Sequence, residues 1–313
     1  MSPSLDAAIR ARGLVKRYGE LTAVDGLDLE VERGTCLGLL GPNGAGKTTT
    51  IEMLEGLKRP DAGELEILGL DWRRDARAIR AAIGVQLQET DLLAKLTVAE
   101  TVRMFRAFYT DTRTVDEVLD IVGLQEKRGA RVDDLSGGQK QRLALGCAMV
   151  HRPAILFLDE PTTGLDPQAR RRVWEVVEDF VGEGGTVLLT THYMEEAERL
   201  SQRVLIVDHG RAIAEGSPSE VIEGLGAENI VELTLGEPGT QLEEAALLAL
   251  PGVASVAGEN GHLRLSVTDT QACLGALLAL LESRGLAVED LRTHRPTLED
   301  VFVALTGKHL RDG

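Results

Sequence analysis

The sequence contains few cysteines, no long apolar run and a shortage of basic residues. Its three cysteines, Cys36, Cys147 and Cys273, are far apart and form no CxxC pair. This predicts a reducing compartment with neither structural disulfides nor structural zinc. The net charge of −16 argues against a nucleic-acid partner, because phosphate backbones select basic faces. The length of 313 residues is sufficient for two domains with hydrophobic cores.

Neither of the two longest uncharged apolar runs, at 245–258 and 272–281, is long enough to cross a bilayer. Both fall short of the ~20 residues that a membrane helix needs. The first also contains a Pro-Gly break. The amino terminus, MSPSLDAAIRARG, has no apolar core of signal-peptide length. We therefore expect a cytoplasmic chain that does not cross a membrane by itself.

Short β-rich runs alternate with helical patterns from residue 9 to about 216, which predicts an α/β domain with a largely parallel sheet. Buried strands are expected at 35–40, in AILFLDE at 154–160 and in GTVLLTTH at 185–192. Each of them ends in a glycine loop or in polar residues. Since ligands bind beyond the carboxyl ends of strands in doubly wound sheets, these endings should form one site.

The pattern changes after this region, and we place a domain boundary between residues 224 and 225, which gives domains 1–224 and 225–313. The second domain has the order βαββαβ followed by a final helix, which is the order of a small α+β ferredoxin-like unit. It contains 13 acidic and 6 basic residues, so its surface should repel nucleic acid and suit protein contacts or regulation. A small packing domain is the simpler interpretation, because no catalytic constellation occurs in it.

The strongest motif is GPNGAGKT at 41–48, which matches G-x-x-x-x-G-K-[ST] between a predicted strand and a predicted helix. In such a loop the glycines let backbone amides close on phosphate oxygens. The lysine reaches the β- and γ-phosphates, and the hydroxyl of the last residue binds Mg²⁺. The predicted nucleotide-binding residues of this loop are Gly41, Pro42, Asn43, Gly44, Ala45, Gly46, Lys47, Thr48 and Thr49, with Thr48 also a metal ligand.

The acidic counterpart of the loop is ILFLDEP at 155–161. Two carboxylates at the end of an apolar strand need partners if they are desolvated. We predict that Asp159 binds Mg²⁺ and that Glu160 polarises the attacking water. His192 follows the strand in TVLLTTH, after a run of hydroxyl residues, and we expect it to sense or position the γ-phosphate.

The segment LSGGQKQRLAL at 135–145 resembles a second anion cradle. It has the pattern of a glycine-rich turn that leads into a helix, with Ser136 at the N-cap and free amides after it. One chain therefore contains two phosphate-binding patterns, which composition and spacing alone do not explain.

The ordered series GPNGAGKT, IGVQLQ, LSGGQ, ILFLDE, TGLD and TTH resembles the nucleotide-binding subunit of an ATP-binding cassette (ABC) transporter, over residues 9 to about 220. The tail, which closes with RTHRPTLEDVFVALTG, resembles the carboxyl-terminal domain of exporters of the drug-resistance, ABC-2 type. The resemblance implies a P-loop NTPase fold and a dimer of two cassettes that stack head to tail. Each ATP would then lie between the phosphate loop of one subunit and Ser136, Gly137, Gly138 and Gln139 of the other.

The resemblance also implies roles for residues outside these loops. Tyr18 is similar to the aromatic residue that stacks on adenine. Gln88 is the better match to a glutamine that touches Mg²⁺, although Gln86, two residues earlier, leaves that assignment open. Asp166 in TGLD resembles the residue that crosses the dimer to the partner's site. Gly164 stands there in place of the more usual alanine.

These features predict an Mg²⁺-dependent ATPase that forms a homodimer on the cytoplasmic face of the membrane. It would energise export of a drug-like or lipid-like molecule through a separate permease, contacted through ETDLLAKLTVAETV with Leu92 and Leu93. Among the alternative functions, an ATPase that drives import is the closest to this prediction. A repair or ribosomal cassette would need a long coiled coil or two cassettes in one chain, and a nucleotide kinase would lack LSGGQ.

Overall fold

The computed structural model of the protein describes residues 7–87, 92–236, 242–259 and 261–306. The chain divides into two compact units, Met1–Glu215 and Gly216–Gly313. Each unit has hydrophobic core residues of its own.

The first unit contains the elements that carry the predicted motifs. Its strands are β1 (Ala7–Tyr18), β2 (Leu21–Glu32), β3 (Cys36–Leu40), β4 (Ala62–Ile67), β5 (Leu70–Asp71), β6 (Ile83–Gln86), β7 (Ile155–Asp159), β8 (Thr186–Thr190), β9 (Arg203–Asp208) and β10 (Arg211–Gly216). Its helices are α1 (Lys47–Leu54), α2 (Trp72–Ala82), α3 (Val98–Arg106), α4 (Val115–Ile121), α5 (Gly137–Ala148), α6 (Pro167–Gly182) and α7 (Met194–Leu200). Two short 3₁₀ turns, Gln125–Lys127 and Val132–Asp134, precede α5.

The larger sheet of this unit has the order β10-β9-β3-β8-β7-β6. The pairs β6–β7, β7–β8, β8–β3 and β3–β9 are all parallel. The carboxyl ends of β3, β8 and β7 therefore meet at one edge of the sheet. This confirms the predicted α/β arrangement and brings together the phosphate loop, the two acids and the histidine segment.

A second, antiparallel sheet has the order β2-β1-β4-β5, and the sequence analysis did not predict it. Its core-facing residues include Leu27, Leu29 and Val31, which alternate with more exposed positions. That period of two is typical of a strand with one buried face. The alternation was present in the sequence, but a largely parallel sheet was expected for the whole region.

The six-stranded sheet is covered on both faces. Phe157 of β7 belongs to a core cluster with Ile51 of α1 and with residues of the antiparallel sheet. Leu156 and Leu158, its neighbours on β7, belong to a cluster with residues of α5 and α6. Because successive side chains of a strand point to opposite faces, α1 lies on one side of the sheet and α6 on the other.

The second unit has the predicted element order. It consists of α8 (Pro218–Glu223), β11 (Asn229–Leu235), α9 (Glu244–Leu248), β12 (Val253–Glu259), β13 (His262–Val267), α10 (Thr270–Ser283), β14 (Val288–His294) and α11 (Leu298–Thr306). The strands form an antiparallel sheet in the order β12-β13-β11-β14. This is the strand order of a ferredoxin-like unit, as predicted.

The compact units divide between Glu215 and Gly216, nine residues before the boundary proposed from the sequence. Helix α8 accounts for the difference, since it packs against α11 of the second unit. A hydrophobic pattern alone could not assign so short a helix to either side.

Cys36, Cys147 and Cys273 are all buried and are not paired with one another. None of the helices in the described part of the chain has both the length and the apolar character to span a bilayer.

Candidate functional site

The phosphate loop lies between the end of β3 and the start of α1. Gly46 is the N-cap of α1 and has a φ of +100°, in the left-handed region that favours glycine. A Cβ at this position would lie 2.3 Å from the carbonyl oxygen of Ala23. Thr48 and Thr49 are in the first helical turn, with Thr48 exposed and Thr49 half-buried. The loop thus ends at a helix N-terminus, which favours bound anions.

Lys47 is buried and closes the loop on itself. Its Nζ donates to the carbonyl oxygens of Gly41, at 2.7 Å, and Pro42, at 3.1 Å. Burial lowers the pKa of Lys47, and the charges of Glu160 and Asp159 oppose that shift. The lysine is therefore placed where it acts electrostatically on both acids predicted for the site.

Asp159 is the last residue of β7 and is 7% exposed. It accepts a hydrogen bond from the hydroxyl of Thr190 on β8. Burial raises the pKa of Asp159, and the bond from Thr190 offsets part of the rise. Among the described residues the hydroxyl of Thr190 is the donor to this buried carboxylate, which is well suited to a cation as a further partner.

Glu160 and His192 are brought together, as the strand endings predicted. Nδ1 of His192 lies 3.2 Å from Oε2 of Glu160, and the hydroxyl of Thr163 donates to the same oxygen at 3.1 Å. The hydrogen bond with His192 holds the pKa of Glu160 below its ordinary value, against the effect of burial. The carboxylate is therefore ionised at neutral pH, as a group that polarises water must be.

Two hydroxyl residues of this site, Thr190 and Thr163, were not among the residues predicted from the sequence. Thr190 donates to Asp159 and also accepts from the backbone N–H of Glu160, through its carbonyl and its hydroxyl, both at 3.1 Å. The run of threonines before His192 was a usable signal for it. Thr163 had no such signal, since its contact with Glu160 depends on how the turn after β7 folds back.

Tyr18 lies at the end of β1 and is 41% exposed. The Nζ atoms of Lys58 and Lys16 lie 5.1 Å and 5.7 Å from its ring centroid. These are cation–π distances, so two cationic side chains lie near the ring while part of it stays accessible. Its stacking on adenine remains a prediction.

The second cradle begins α5 with a capping box. The hydroxyl of Ser136 accepts from the amide of Gln139 at 3.3 Å, and the Gln139 side chain accepts from the amide of Ser136 at 3.0 Å. A Cβ on Gly138 would lie 2.7 Å from the Cβ of Ala169 on α6, so packing requires this glycine. A Cβ on Gly137 would meet nothing within 4 Å. The open position at Gly137 is suited to a ligand that approaches the helix end.

Ser136, Gly138 and Gln139 line a cavity of about 630 Å³ together with Asp166. Asp166 is the N-cap of α6 and accepts from the amides of Gln168 and Ala169, both at 2.9 Å. Among the residues that the structure describes, the lining includes none from the phosphate loop. Within one chain the second cradle therefore lies beside Asp166, whereas the phosphate loop lies beside Glu160 and His192.

The glutamine predicted to touch Mg²⁺ is not settled by the structure. Gln88 lies outside the described residues. Gln86 is on β6, is 1% exposed and is paired in register with Leu158. Its side-chain amide has no hydrogen-bond partner among the described residues. The choice between the two glutamines stays a prediction.

The segment expected to contact a permease is described from Leu92 onward. Leu92 packs against the hydrophobic cluster formed by α3, α4 and α5, whereas Leu93 is 56% exposed. Leu93 is therefore more accessible than the partly buried Leu92, and the contact of either with a permease stays a prediction.

The second unit contains a cluster of ionisable side chains that the sequence analysis did not identify. Ligand atoms of Glu232, His294 and Asp300 lie within 4.8 Å of one another. Arg264 contacts Glu232 at 2.6 Å and Asp300 at 3.4 Å, and Nε2 of His294 lies 3.2 Å from Asp300. The guanidinium provides the positive charge that a metal ion would otherwise supply.

Two family models match the chain. One, described as ABC transporter, matches residues 24–163. The other, described as ATP-binding protein DrrA1-3-like, C-terminal domain, matches residues 216–306 and begins where the second compact unit begins.

Several curated relatives match nearly the whole chain. It is 43% identical over 311 residues to the daunorubicin resistance ATP-binding protein DrrA3 of Streptomyces coeruleorubidus, with 98% of each chain covered. It is 43% identical over 314 residues to the Nod factor export ATP-binding protein I of Paraburkholderia xenovorans (strain LB400), with 98% of this chain and 99% of that protein covered.

A solved dimeric structure of an ATP-binding cassette, in a post-hydrolysis state with ADP and Pi, superposes with a TM-score of 0.61. It is 25% identical and covers 67% of this chain and 98% of its own. Fold and site define the first unit as a P-loop ATPase cassette. The chain belongs to the ABC transporter family, as an ATP-binding subunit with a C-terminal domain of the DrrA type.

Proposed function

We propose that this chain hydrolyses ATP at the edge formed by β3, β7 and β8, and that hydrolysis drives export of a small molecule through a separately encoded membrane permease. The contact between Glu160 and His192, next to the loop closed by Lys47, carries the proposal. It combines an ionised carboxylate, a positioned imidazole and a phosphate cradle at one sheet edge.

The roles follow from the contacts of each residue. The amides of the phosphate loop and the ammonium group of Lys47 bind the phosphates. Glu160 orients a water molecule for in-line attack on the γ-phosphorus, and ADP leaves. His192 keeps Glu160 ionised and in place, and the exposed part of its ring is available to the γ-phosphate.

The donor set of this edge fits Mg²⁺, which prefers oxygen ligands. Thr48, which is exposed, and the buried carboxylate of Asp159 would hold the ion. Gln88, or Gln86 in its place, would be a third ligand. When bound, Mg²⁺ would neutralise part of the phosphate charge. The burial of Asp159 supports this assignment, because a desolvated carboxylate gains most from a nearby cation.

The position of the second cradle supports a dimer of two copies. Ser136, Gly137, Gly138 and Gln139 form an anion-binding helix end on a part of the chain where the phosphate loop contributes nothing to the cavity lining. A partner's nucleotide would use this end, and Asp166 beside it would meet the partner's site. The dimeric cassette among the solved relatives supports this arrangement.

The names of the relatives support export rather than import. One relative is named for daunorubicin resistance and another for Nod factor export. We infer an amphipathic small molecule as the cargo, a permease of the ABC-2 type as the partner and the cytoplasmic face of the membrane as the location. Leu93, exposed after the segment 88–91, is the side chain that we expect to contact the permease.

Replacing the proposed base tests the hydrolytic part. Glu160→Gln keeps the shape of the side chain but removes the charge, and the loss of a general base lowers rates about 10²- to 10⁴-fold. We expect this variant to bind a fluorescent ATP analogue normally and to accumulate as a dimer with ATP in gel filtration. Glu183→Gln, on the exposed C-cap of α6, is the matched control. Parental turnover in Glu160→Gln would remove Glu160 from this role.

Purification from the native cells in mild detergent tests the transport part. We expect a multi-span membrane protein to co-purify in stoichiometric amount and to be lost in Leu93→Asp but retained in Glu183→Gln. Recovery with soluble partners alone would favour a cassette ATPase that does not transport.

A further inference from the structure

Glu196 on α7 is a buried carboxylate that the hydrolytic mechanism does not use. Its relative exposure is 0%, although α7 also carries Glu195, which is exposed. One oxygen, Oε1, accepts two hydrogen bonds. The hydroxyl of Thr162 donates at 2.8 Å, and the indole N–H of Trp174 donates at 2.7 Å.

These two donors belong to different parts of the site. Thr162 lies in the turn after β7, two residues beyond Glu160, and is itself fully buried. Trp174 is on α6, whose N-cap is Asp166. Glu196 therefore joins the turn that follows the proposed base to the helix that begins at Asp166.

The segment that contains Glu196 also begins with His192. His192 contacts Glu160 at 3.2 Å, and Tyr193 stacks on the guanidinium of Arg170 at 4.0 Å from its ring centroid. The histidine segment is thus attached twice to the turn after β7, through His192 and Glu196. It is attached twice to α6, through Tyr193 and Glu196.

If packing were its only role, a buried acid would be an energetically unfavourable side chain at this position. Burial raises the pKa of Glu196, and hydrogen bonds from Thr191, Trp174 and Thr162 offset part of that cost. Replacement of such groups by apolar residues of similar volume is often neutral or stabilising. The shared acceptor therefore points to a requirement for fixed geometry between the joined segments.

We propose that Glu196 is a positioning residue that fixes His192 relative to the turn 160–166, so that the γ-phosphate contact in one site and Asp166 at the partner's site move together. The inference rests on the proposed function, since it assumes that Glu160 and His192 act in hydrolysis. Small displacements of catalytic groups cost large factors in rate, about 10²-fold for ~1 Å.

The test uses the full chain and three variants of the link. Thr162→Val removes the donor in the turn and is nearly isosteric, and Glu196→Ala removes the acceptor. Both should lower kcat about tenfold or more, with the KM for ATP within about twofold of the parent. Glu196→Gln retains an acceptor oxygen and should restore kcat to within about threefold of the parent. Glu195→Gln, on the exposed side of α7, is the matched control.

A purely structural role would give a different result. It would lower the melting temperature of the variants but leave kcat per folded molecule, measured well below that temperature, at the parental value. Parental kcat in folded Thr162→Val would therefore overturn the proposal, even if Glu196→Ala failed to fold. So would a Glu196→Gln variant no better than Glu196→Ala.

The Glu160→Gln variant, measured in the same assays, distinguishes a failure of the role of Glu196 from a failure of the proposed function. If Glu160→Gln is inactive and Thr162→Val is fully active, only the role of Glu196 fails. If Glu160→Gln turns over ATP at the parental rate, the proposed function fails first.

Discussion

Two carboxylate clusters, one in each compact unit and each with one buried aspartate, differ in the side chains that contact them. In the second unit Asp300 is 2% exposed, and it contacts Arg264 and His294 and accepts from Thr297. In the first unit Asp159 accepts from the hydroxyl of Thr190, and Glu160 is contacted by the hydroxyl of Thr163 and by Nδ1 of His192. The difference indicates that the first cluster is arranged for ligands and that the second is a structural unit complete in itself.

Glu55, at the C-cap of α1, represents a third case. It is 5% exposed, and its carboxylate oxygens have no hydrogen-bond partner among the residues the structure describes. Burial, with the charges of Asp159 and Glu52 nearby, raises its pKa to about 8. The carboxyl group of Glu55 therefore keeps its proton at neutral pH and is uncharged in the folded protein.

The comparison predicts the largest effect for Lys47→Ala. The variant loses the bonds that close the phosphate loop and the ammonium charge that acts on both acids of the first cluster. We expect ATP hydrolysis to fall by about 10²- to 10³-fold. Fluorescent ATP binding should weaken in parallel, while Lys127→Ala, which changes an exposed lysine, should leave both unchanged. Parental activity in Lys47→Ala would contradict the assignment of the first cluster.

Asp300→Ala should mainly affect stability, by about 3 kcal/mol, because it leaves Arg264 without one of its buried partners. Both tryptophans, Trp72 and Trp174, are in the first unit, so amide hydrogen exchange in β11 is the better measurement. The control is Asp290→Ala, which breaks an exposed pair with Arg292 and should cost about 0.5 kcal/mol or less. Equal effects of the two variants would show that the second cluster is not a structural unit.

Glu55→Gln should change how stability depends on pH. Between pH 4.5 and about 8 the unfolded carboxyl loses its proton while the folded one keeps it. The free energy of unfolding of the parent should therefore fall with rising pH, by up to about 1.4 kcal/mol per pH unit. Urea unfolding across this range should show a smaller slope in Glu55→Gln, with exposed Glu64→Gln as the control. An unchanged slope would mean that Glu55 is not neutral in the folded state.

Thr163→Val should have the smallest effect. Its hydroxyl helps to hold the pKa of Glu160 below the ordinary value, so the variant's Glu160 should take up a proton at higher pH. Because hydrolysis needs the ionised form, the acid limb of the kcat profile should move to higher pH. The neutral rate should change by no more than about threefold. Thr163→Ser keeps the hydroxyl and should retain the parental profile, and identical profiles for Val and Ser would contradict this role.

Much of the site could be predicted because strand endings have a simple sequence signature. An apolar run that ends in polar residues predicts where Asp159, Glu160 and His192 meet, since parallel strands align their carboxyl ends. Thr190 belongs to the same kind of signal, because it ends β8 in register with Asp159 of β7. The hydroxyl group of Thr163 has no comparable spacing, because its contact with Glu160 depends on a turn, and turn geometry follows from tertiary contacts that a single sequence does not display.

Glu196 shows the same limit for a helix. It lies in the run MEEAE beside Glu195 and Glu198, and no local pattern distinguishes the one acid that faces Trp174. The packing of α6 against α7 decides which acid is buried. The antiparallel sheet of the first unit is the opposite case, since the alternation at Leu27, Leu29 and Val31 was visible and a parallel arrangement was expected instead.

The backbone at Glu160 has a φ of +49°, a left-handed conformation that costs a non-glycine residue about 1 kcal/mol. Glu160 in this conformation therefore lowers the thermal stability of the protein. A directed-evolution screen that selected only for survival on heating would tend to replace Glu160 with glycine or asparagine, which tolerate this conformation. Thermostabilised variants of this protein will have to be selected for turnover as well, because folding stability and turnover make opposite demands on this one residue.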